Sequence, residues 1–288
     1  MIGLRHFLHP IRTTKIVGHM ATTCVYRAFH RKEPDNLGRD TVDRCWCGGA
    51  LGPFKWHASY GSCSICGTYV NRRPPLAEEL SRIYSFEYYW HTRQKLRGNP
   101  SIEGRAENDR TDGRLDYWLK LIERHAAPKG RVIEIGCGSG VLLSELQKRG
   151  YECIGVDVDE RSAAWVRETM QLDIRSGIFP DIQLPGCDLF LAFDVIEHSK
   201  RPLDFLRRTA EMLVPGGIAI IQAPIHRNGD GRPFGKRFED AFDDVEHLFV
   251  FTDDAIRILA QHSGLEVVTL EERLWLMGEI AVLKKPCH

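Results

Sequence analysis

The chain carries no excess of charge of either sign and has no long apolar run. Lys and Arg together number 39 among its 288 residues, and Asp and Glu also number 39, so the formal net charge is zero. A balanced total provides no long-range field to attract a polyanion, although a local basic patch is compatible with it. No stretch of about 18 consecutive apolar residues occurs, which argues against a membrane-spanning helix. The 43% hydrophobic content favours a soluble globular protein with one large domain and a small second one.

The N-terminal segment contains no acidic residue. Its first 32 residues carry six basic side chains: Arg5, Arg12, Lys15, Arg27, Arg31 and Lys32. The segment lacks the uninterrupted apolar centre of a secretory signal, so two interpretations stay open. It is either a targeting segment or a basic, disordered leader over residues 1–40, with Met20 as an alternative start. We expect the leader.

Four of the nine cysteines form two close pairs. The pairs are separated by 15 residues and consist of Cys45, Cys47, Cys63 and Cys66. Gly48 and Gly67 follow the pairs, as expected where backbone N–H groups turn back towards thiolates. Four sulfurs can close a tetrahedral, structural Zn²⁺ site and hold together a segment too small for its own core. We therefore expect a zinc ribbon over residues 41–72 and a reducing, cytoplasmic location. Unmetallated packing cysteines are the alternative, and His57 could substitute as a ligand.

A helical lid or linker is expected over residues 73–111. Two prolines in "RRPP" break regular structure and form a stiff joint. Residues 76–90 show helical spacing with an aromatic end, and the polar residues 91–111 are typical of a loop or a mobile lid. The aromatic end supplies candidates for acceptor contacts, with a place in the core as the alternative. These candidates are Tyr84, Tyr88, Tyr89 and Trp90.

The rest of the chain, residues 112–288, alternates short apolar runs with amphipathic stretches. Leu115, Trp118, Leu119 and Ile122 lie on one helical face. Candidate strands at 131–135, 152–157, 172–175, 187–193 and 217–223 alternate with candidate helices at 139–149, 160–170, 202–213 and 253–263. This spacing predicts an α/β fold, with a doubly wound parallel sheet covered by helices on both faces. The last two runs, 265–275 and 278–285, have no helix between them and should pair as an antiparallel C-terminal hairpin.

The stretch "VIEIGCGSG" at 132–140 has the character of a ligand-binding loop. A helix that begins directly after a strand offers unpaired N–H groups and a positive dipole end. Gly136, Gly138 and Gly140 would allow a sharp turn and a close approach of the ligand to the main chain. A dinucleotide fingerprint would need its third glycine at the position of Val141. The Gly-Lys-Ser/Thr ending of a P-loop is also absent, so the loop is not built for a pyrophosphate.

Two acidic residues identify the ligand more closely. Glu134 precedes the loop, and Asp157 ends the second strand, where it can accept hydrogen bonds from both hydroxyls of a ribose. Together with "EIGCGSG" they resemble the S-adenosylmethionine-dependent methyltransferases of the seven-stranded, Rossmann-like class. "DLFLAFDVIEHSKRP" at 188–202 looks like the fourth-strand motif of that class, and "MLVPGG" at 212–217 looks like the turn before its fifth strand. "EHLFVFT" at 246–252 is similar to its substrate-side segment, so the resemblance covers roughly residues 110–285.

The resemblance implies a set of contacts to S-adenosylmethionine. The glycines would approach the methionine and ribose parts of the cofactor, and Glu134 would contact its amino end through the loop. Asp157 would hold the ribose. The loop after the third strand would contact the adenine edge, and the end of the fourth strand would lie beside the sulfonium. The cofactor-binding set is Glu134, Gly136, Cys137, Gly138, Gly140, Asp157, Val158, Gly177, Ile178, Phe193 and Asp194, in which Cys137 is a small packing residue and not a nucleophile.

Methyl transfer requires alignment of the acceptor, exclusion of water and, for a hydroxyl acceptor, removal of a proton. No Asn/Asp-Pro-Pro-Tyr/Phe motif follows the fourth strand, which argues against adenine or amide N-methylation. No Pro-Cys or Thr-Cys pair marks a cytosine C5 mechanism. O-methylation and C-methylation both remain open. The acid–base candidates are His198, His226, His247 and Asp194.

Asp194, Glu197 and His198 have i, i+3, i+4 spacing and could bind a divalent cation. The pattern resembles the Glu-x-x-Glu-His site of the ubiquinone-biosynthesis O-methyltransferases, with Asp194 in place of the first Glu. A hydrogen-bonded turn without metal is the alternative.

A zinc segment before a methyltransferase domain resembles two groups of enzymes. One comprises zinc-containing methyltransferases of sugar and natural-product pathways, including nucleotide-sugar C-methyltransferases. The other comprises ribosomal RNA guanine methyltransferases. Zero net charge weighs against RNA, although basic residues cluster at 227–237 and at Arg72–Arg73. We therefore favour O-methylation of a small-molecule or glycan acceptor. RNA methylation, C-methylation of a nucleotide sugar, and a non-enzymatic scaffold that docks proteins through the ribbon are the alternatives.

Overall fold

The computed structural model describes residues 38–55, 57–226, 241–271 and 279–287. The predicted leader, except for its last three residues, lies outside these ranges, as does the basic cluster at 227–237. In the described residues, no helix combines the length and the apolar character needed to cross a membrane.

Twelve strands and eight α-helices form the described part of the chain. The strands are β1 Leu51–Pro53, β2 Tyr60–Cys63, β3 Tyr69–Asn71, β4 Arg131–Ile135, β5 Glu152–Asp157, β6 Asp173–Ser176, β7 Cys187–Phe193, β8 Leu213–Ala223, β9 Ile225–His226, β10 Phe249–Thr252, β11 Glu266–Glu271 and β12 Glu279–Lys284. The α-helices are α1 Ala77–Ile83, α2 Phe86–Tyr88, α3 Ile102–Thr111, α4 Arg114–His125, α5 Val141–Lys148, α6 Glu160–Met170, α7 Pro202–Met212 and α8 Asp253–His262. A π-helical turn, Tyr89–Gln94, follows α2, and a 3₁₀ turn, Ile196–His198, follows β7.

The larger sheet has seven strands in the order β11-β12-β8-β7-β4-β5-β6. Neighbours from β8 to β6 pair in parallel, whereas β12 pairs antiparallel with both β8 and β11. The predicted doubly wound, mostly parallel sheet with an antiparallel C-terminal hairpin is therefore confirmed. The central strands carry almost uninterrupted apolar side chains because helices cover both faces of the sheet.

A second sheet combines the cysteine segment with two short strands that follow β8 in the chain. It has five strands in the order β1-β2-β3-β10-β9. The first three strands come from the cysteine segment, and β10 pairs antiparallel with β3 and in parallel with β9. Because β9 starts two residues after the end of β8, this sheet is attached at the carboxyl edge of the large sheet. The sequence spacing did not predict this pairing, since the cysteine segment was expected to stand as a unit of its own.

Helix α4 covers one face of the large sheet with the side chains that the sequence pattern identified. Leu115, Trp118, Leu119 and Ile122 are all buried, each at most 7% exposed. They pack with strands β4, β7 and β12 and with α5 in one of the two apolar clusters of the described chain. The amphipathic pattern of this helix was therefore a sound guide to its buried face.

Most of the polar residues 91–111 lie in helices, so the expectation of a loop over this range is wrong. The π-helical turn runs to Gln94, and α3 begins after Ser101, whose Oγ accepts a hydrogen bond from the Gly104 N–H at 3.2 Å. Polar side chains are buried here with polar partners; for example, the Asn99 amide donates to Gln94 Oε1 at 2.7 Å. The polarity of this segment suggested exposure to water. In the folded chain, its polar side chains instead form hydrogen bonds with other protein groups, so they can be buried.

Candidate active site

The candidate site lies where the direction of chain winding reverses in the large sheet. From β4 the chain moves through β5 to β6 on one side, whereas β7 and β8 lie on the other side of β4. The loops after β4 and β7 therefore diverge at the carboxyl edge and leave a crevice, which is where open α/β sheets bind ligands. The glycine loop and residues 193–198 meet at this crevice.

The three glycines of the loop have different reasons for lacking a side chain. Gly136 has φ +69°, and a Cβ there would lie 2.6 Å from the Val195 side chain. A Cβ on Gly140 would collide with Val166. Gly138 has φ +54°, and a Cβ there would meet only the Gly136 carbonyl oxygen, at an ordinary contact distance of 3.9 Å. Two glycines thus serve packing within the protein, while Gly138 serves the left-handed turn of the backbone.

Cys137 is buried beside this loop, at 7% exposure. Burial, reinforced by Asp157 and Glu134, raises the pKa of its thiol well above the ordinary value. A thiol in these surroundings is inert, in agreement with the packing role expected from the sequence.

Glu134 carries a buried carboxylate with an unsatisfied oxygen. The side chain is 5% exposed, and its Oε2 has no hydrogen-bond partner. Burial, reinforced by the negative charge of Asp109, raises the pKa of Glu134 well above its usual range. Asp109 in turn accepts hydrogen bonds from Ser139 Oγ at 3.2 Å and from Arg105 Nε at 2.7 Å. This end of the crevice therefore offers carboxylate acceptors that suit a cationic amino group.

Asp157 ends β5 at the same edge of the sheet. Its carboxylate accepts a hydrogen bond from the Asp159 N–H at 3.0 Å. Burial raises the pKa of Asp157 from 3.8 to about 7, although the N–H groups of Asp159 and Gly138 favour the charged form. The acid is thus held beside the glycine loop in a setting where a pair of hydroxyl donors would stabilise its charge.

Two apolar side chains flank Asp157 and are open to solvent. Val158 is 53% exposed and Ile178 is 65% exposed, although most side chains of their size are buried. They follow β5 and β6, which are neighbours in the sheet, so they lie at adjacent strand ends. Apolar surface exposed next to an acid at a strand end is suited to a flat ring such as adenine.

The end of β7 is held by aromatic and amide contacts. The ring of Phe193 stacks on Trp118 with centroids 4.4 Å apart, and Trp118 Nε1 donates to Gln222 Oε1 at 3.2 Å. Gln222 Nε2 donates to Asp194 Oδ1 at 2.9 Å. Asp194 has φ +56°, which is uncommon for a residue with a side chain. Such conformations are concentrated at functional sites.

The aromatic segment at 84–90, the expected lid, is fastened to the start of α6, the helix that follows Asp157. The Phe86 N–H donates to Asp159 Oδ2 at 3.1 Å, and Trp90 Nε1 donates to Ser162 Oγ at 3.0 Å. Asp159 is also the N-cap of α6, accepting from the Ser162 N–H at 2.8 Å. One acidic side chain therefore fixes both the helix that follows Asp157 and the lid above it.

Two of the three candidate histidines come together with a buried acid. The rings of His198 and His247 lie 5.1 Å apart, and Glu197 Oε1 lies 3.8 Å from His198 Nε2. His198 Nδ1 contacts the Glu246 carbonyl at 2.7 Å, and His247 Nδ1 contacts the Ala241 carbonyl at 2.7 Å. In the neutral imidazoles each Nδ1 must donate, so each Nε2 is left as an acceptor. We name Glu197, His198 and His247 the histidine pocket.

The histidine pocket is buried and rich in unsatisfied acceptors. Glu197 is 1% exposed, and neither of its carboxylate oxygens has a hydrogen-bond partner. Burial, reinforced by Asp194, raises the pKa of Glu197 well above the ordinary value. Burial, together with His247, lowers the pKa of His198 to about 4. His198 is consequently uncharged at neutral pH.

The expected cation set of Asp194, Glu197 and His198 is not the one that the fold brings together. Ligand atoms of Glu197, His198 and His247 lie within 4.8 Å of one another, and Asp194 is outside this group. Residue 195 turns away from helical geometry, so the assumed i, i+3, i+4 face does not form. His226 lies apart in β9, with its ring 6.2 Å from Tyr69.

A buried ion-pair network joins the lid to the segment that carries His247. Arg93 is fully buried, and its Nε lies 2.6 Å from Glu246 Oε1. Its Nη2 donates to Asp243 at 3.2 Å, and Arg97 donates to Glu246 Oε2 at 2.6 Å. Burial alone would raise the pKa of Glu246, but Arg97 and Arg93 hold it well below its usual range. We name Arg93, Arg97, Asp243 and Glu246 the lid network.

The four cysteines of the ribbon segment converge. Cys45 and Cys66 have sulfurs 3.6 Å apart, and the Cys47 sulfur lies 3.4 Å from Cys63 and 3.5 Å from Cys66. All four sulfurs lie within 4.8 Å of one another. The hydrogen bond with Cys45 lowers the pKa of Cys66 to about 5, which favours a thiolate. The cluster has the donor set and the compactness of a tetrahedral metal site.

Several residues of the crevice were missed by sequence reasoning. They contact the site only through the tertiary fold and are Asp109, Arg105, Arg114, Gln222, Asp159 and Ser162. Asp159 offered a signal, since an acid three residues before Ser162 at a helix start is an N-cap pattern. The others lie in helices or strands whose polar residues resemble ordinary surface positions.

Comparison with known proteins agrees with the fold and with the class that the motifs indicated. A family described as "Methyltransferase domain" matches residues 109–270, which is more than half of the chain. A "Probable S-adenosylmethionine-dependent methyltransferase" of Mycolicibacterium smegmatis is 31% identical over 141 residues, covering 45% of this chain and 51% of the relative. The ubiquinone biosynthesis O-methyltransferase of Ruegeria pomeroyi is 32% identical over 105 residues, covering 34% and 42% respectively. The chain thus spans about half or less of these relatives.

Among solved structures, human N-acetylserotonin methyltransferase in complex with S-adenosylmethionine has a similar fold. The TM-score is 0.56 at 16% identity, with 74% of this chain and 60% of that chain covered. At this identity the likeness concerns the fold alone. Together with the matched family and the order of the seven strands, it confirms the class that the motifs indicated. The chain therefore belongs to the methyltransferase domain family.

Proposed function

We propose that this protein transfers a methyl group from S-adenosylmethionine to a hydroxyl group of a small-molecule or glycan acceptor. One observation carries the proposal: Val195, whose side chain lies against Gly136 of the glycine loop, leads directly into the turn that carries Glu197 and His198 of the histidine pocket, which presents acceptor atoms and a buried acid. A site that must take a proton from a hydroxyl needs such acceptors. The ubiquinone biosynthesis O-methyltransferase among the relatives supports the O-methyl reading.

The crevice suits S-adenosylmethionine because each part of the cofactor has a chemically matched partner. Asp157 would accept the ribose hydroxyls, and Val158 and Ile178 would lie against the adenine. The unsatisfied Glu134 oxygen, with Asp109, would face the amino group. When bound, the cofactor supplies an electrophilic methyl group. The remaining cofactor residues of the proposal are Gly136, Cys137, Gly138, Gly140, Phe193 and Asp194.

Arg114 is a further candidate for the methionine end of the cofactor. Its Nε is buried without a hydrogen-bond partner. Burial lowers the pKa of its guanidinium, while the nearby Asp109, Asp112 and Asp194 oppose that shift. A guanidinium in this setting is suited to a carboxylate, which it can bind through more than one N–H.

The histidine pocket would act on the acceptor. His198 Nε2 is an unprotonated acceptor at neutral pH because the pKa of His198 is about 4. His247 contributes its Nε2 as the second ring nitrogen of the pocket, because its Nδ1 contacts the Ala241 carbonyl. The same three groups could instead hold a divalent cation, because each imidazole Nδ1 contacts a backbone carbonyl, as is usual for metal-ligating histidines. In that case we assign Glu197, His198 and His247 as the metal ligands. Asp194 would not bind the metal but would keep its hydrogen bond from Gln222.

Asp157→Ala is expected to weaken S-adenosylhomocysteine binding at least about tenfold, because two hydrogen bonds to a charged acceptor are lost. The wild-type protein should also show a pH dependence. Its Asp157 has a pKa of about 7, so ionisation of the carboxylate is nearly complete at pH 8 but not at pH 6. Binding should therefore strengthen about tenfold between pH 6 and pH 8. Isothermal titration calorimetry measures both effects.

The matched control is Asp157→Asn, which keeps the size of the side chain but cannot titrate in this range. It should bind weakly and remove the tenfold rise between pH 6 and pH 8. Near-normal affinity of Asp157→Ala would eliminate the ribose assignment. A pH profile shared by wild type and Asp157→Asn would mean that another group is responsible.

We also propose that the four cysteines hold one structural Zn²⁺. No position would remain open on a metal with four sulfur ligands, so the site would stabilise structure and not catalyse. Elemental analysis of the purified protein should find one zinc per chain, and Cys63→Ser should lose it. Cys153→Ser is the matched control, since Cys153 is a buried cysteine in the large sheet away from the cluster. If elemental analysis finds no zinc in the wild-type protein, the assignment of this segment as a zinc ribbon is wrong.

The acceptor class is tested by binding experiments on one preparation. Wild-type protein loaded with S-adenosylhomocysteine is titrated with a short RNA hairpin at two salt concentrations. The same preparation without S-adenosylhomocysteine, supplied instead with S-adenosylmethionine, is then tested for methyl transfer to hydroxylated small molecules and glycans. We expect no RNA retention and transfer to oxygen. Tight, salt-dependent RNA binding would instead favour RNA methylation. Transfer to carbon of a nucleotide sugar would favour the C-methyl alternative.

A further inference from the structure

The cysteine segment is built into the acceptor half of the site. Strand β10 pairs with β3 through Phe249 opposite Val70 and Val250 opposite Tyr69. His247 lies two residues before β10. The Leu248 N–H donates to the Glu197 carbonyl at 2.8 Å, and the Asn71 N–H donates to the Leu248 carbonyl at 2.9 Å. The main chain next to His247 is therefore bonded to the cysteine segment on one side and to the histidine pocket on the other.

Two side chains of the cysteine segment converge on a single carbonyl, that of His247. Tyr60 Oη donates to it at 2.7 Å and also contacts the Asp243 carbonyl at 3.2 Å. Asn71 Nδ2 donates to the Asp244 carbonyl at 3.0 Å and lies 3.4 Å from the His247 carbonyl. Tyr60 is 2% exposed and Asn71 is 1% exposed, so water does not compete for these bonds.

One of the two donors that fix His247 shares a strand with the cysteine cluster, and the other lies in the neighbouring strand β3. Tyr60 and Cys63 are the first and last residues of β2. The Cys63 N–H donates to the Thr68 carbonyl at 2.9 Å, one residue before β3. On the opposite side, Thr252 Oγ1 donates to the Cys66 carbonyl at 3.0 Å. A change in the positions of the four sulfurs would therefore move β2 and β3, and with them the Tyr60 and Asn71 side chains that bond the His247 carbonyl.

We propose that Tyr60 and Asn71 are positioning residues of the acceptor site, through which an occupied four-cysteine site places the His247 imidazole beside Glu197 and His198. His247 is held at both ends, since its ring contacts the Ala241 carbonyl while its own carbonyl receives Tyr60 and Asn71. This inference rests on the proposed zinc site and on the proposed role of the histidine pocket. It assigns the ribbon a task inside the enzyme, separate from recognition of a macromolecule.

The test compares Tyr60→Phe with Tyr151→Phe. Tyr60→Phe removes only the hydroxyl and keeps the ring in its edge-on contact with Phe242, 4.8 Å between centroids. Tyr151 makes the same type of bond elsewhere, donating to the Ala127 carbonyl at 2.7 Å, at the opposite edge of the large sheet. The readouts are the imidazole ¹⁵N resonances of His247 and His198, hydrogen exchange of amides 249–252, and S-adenosylhomocysteine affinity.

Tyr60→Phe should shift the His247 resonances and speed exchange of amides 249–252 about tenfold, with cofactor affinity unchanged. Tyr151→Phe should leave both untouched. A Tyr60→Phe spectrum that differs from wild type no more than the Tyr151→Phe spectrum does would overturn the positioning role. Loss of cofactor affinity in Tyr60→Phe would also overturn it, because the effect would then not be confined to the acceptor half.

The metal is tested on the wild-type protein with a chelator and then with added Zn²⁺ alone. Chelation should shift the same His247 resonances as Tyr60→Phe. Zn²⁺ should restore them in the wild type but not in Cys63→Ser, whose histidine pocket is unchanged and controls for direct binding of Zn²⁺ to His247. Resonances that stay in place on chelation would overturn control by the metal. None of these readouts requires a methyl acceptor. Failure to find methyl transfer would thus reject the proposed function while leaving this test intact.

Discussion

Arg93→Met is expected to lower the free energy of unfolding by about 3–5 kcal/mol, because it removes the fully buried cation from Glu246 and Asp243 and leaves them only the partly exposed Arg97. Arg93 is fully buried, with its Nε 2.6 Å from Glu246 and its Nη2 3.2 Å from Asp243. Glu246 is 2% exposed, so water cannot replace the guanidinium. Urea unfolding monitored by tryptophan fluorescence measures the change in free energy. In hydrogen-exchange experiments on the variant, the backbone amides around the lid network should be the first to lose protection.

The control is Arg82→Met, which breaks an ion pair of similar geometry at the surface. Arg82 Nη2 lies 3.0 Å from Glu79, but their side chains are 54% and 25% exposed. Its loss should cost at most about 1 kcal/mol. Equal effects of the two substitutions would contradict the view that burial makes the lid network a structural necessity. A large effect confined to Arg93→Met would show that the lid and the His247 segment are held as one unit.

His198→Ala is expected to lower the rate of methyl transfer about 10²–10⁴-fold while cofactor affinity stays unchanged. The reason is the position of His198 Nε2, an uncharged acceptor directed at the pocket that it shares with Glu197 and His247. Most of the proposed cofactor residues lie on other loops, after β4, β5 and β6. Phe193 and Asp194, at the end of β7, are held by Trp118 and Gln222, so removal of the His198 imidazole should not disturb them. Transfer of a labelled methyl group to the acceptor found by screening measures the first effect, and calorimetry measures the second.

His262→Ala is the control for this experiment. His262 lies in the last turn of α8 and is exposed, away from the histidine pocket. Its removal should leave the transfer rate within about twofold of wild type, as for most surface substitutions. If His198→Ala turns over at the wild-type rate, His198 is not the acceptor-side base, and His247 becomes the next position to test.

Much of the large sheet was predictable because its signals are local. The strand at 131–135, the glycine loop and the helix after it are encoded within about 18 consecutive residues. Both signals, the spacing of apolar residues and the placement of glycines, can be recognised within such a short segment. The same is true of α4, whose apolar face is buried as its spacing indicated. The antiparallel hairpin at the C-terminus followed from the absence of a helix between its strands. Motif order then identified the family.

Predictions failed where polar residues find partners far away in sequence. Residues 91–111 looked like a loop because of their polarity, yet Arg93 forms ion pairs with residues 150 or more positions later. The cation set was placed on a helical face that does not form, so Asp194 was chosen where the fold supplies His247. A carboxylate or imidazole gives no local sign of the partner that will satisfy it.

The sequence by itself determined the class of this protein, because glycine placement, strand–helix alternation and acids at strand ends are properties of short segments. It also determined which four cysteines could share a metal. Only the tertiary structure decided that β3 and β10 join one sheet, that Tyr60 and Asn71 hold the His247 carbonyl, and that His198 and His247 face one buried acid. Those contacts join residues more than 40 positions apart, and long-range pairing is selected by packing and hydrogen-bond satisfaction over the whole fold.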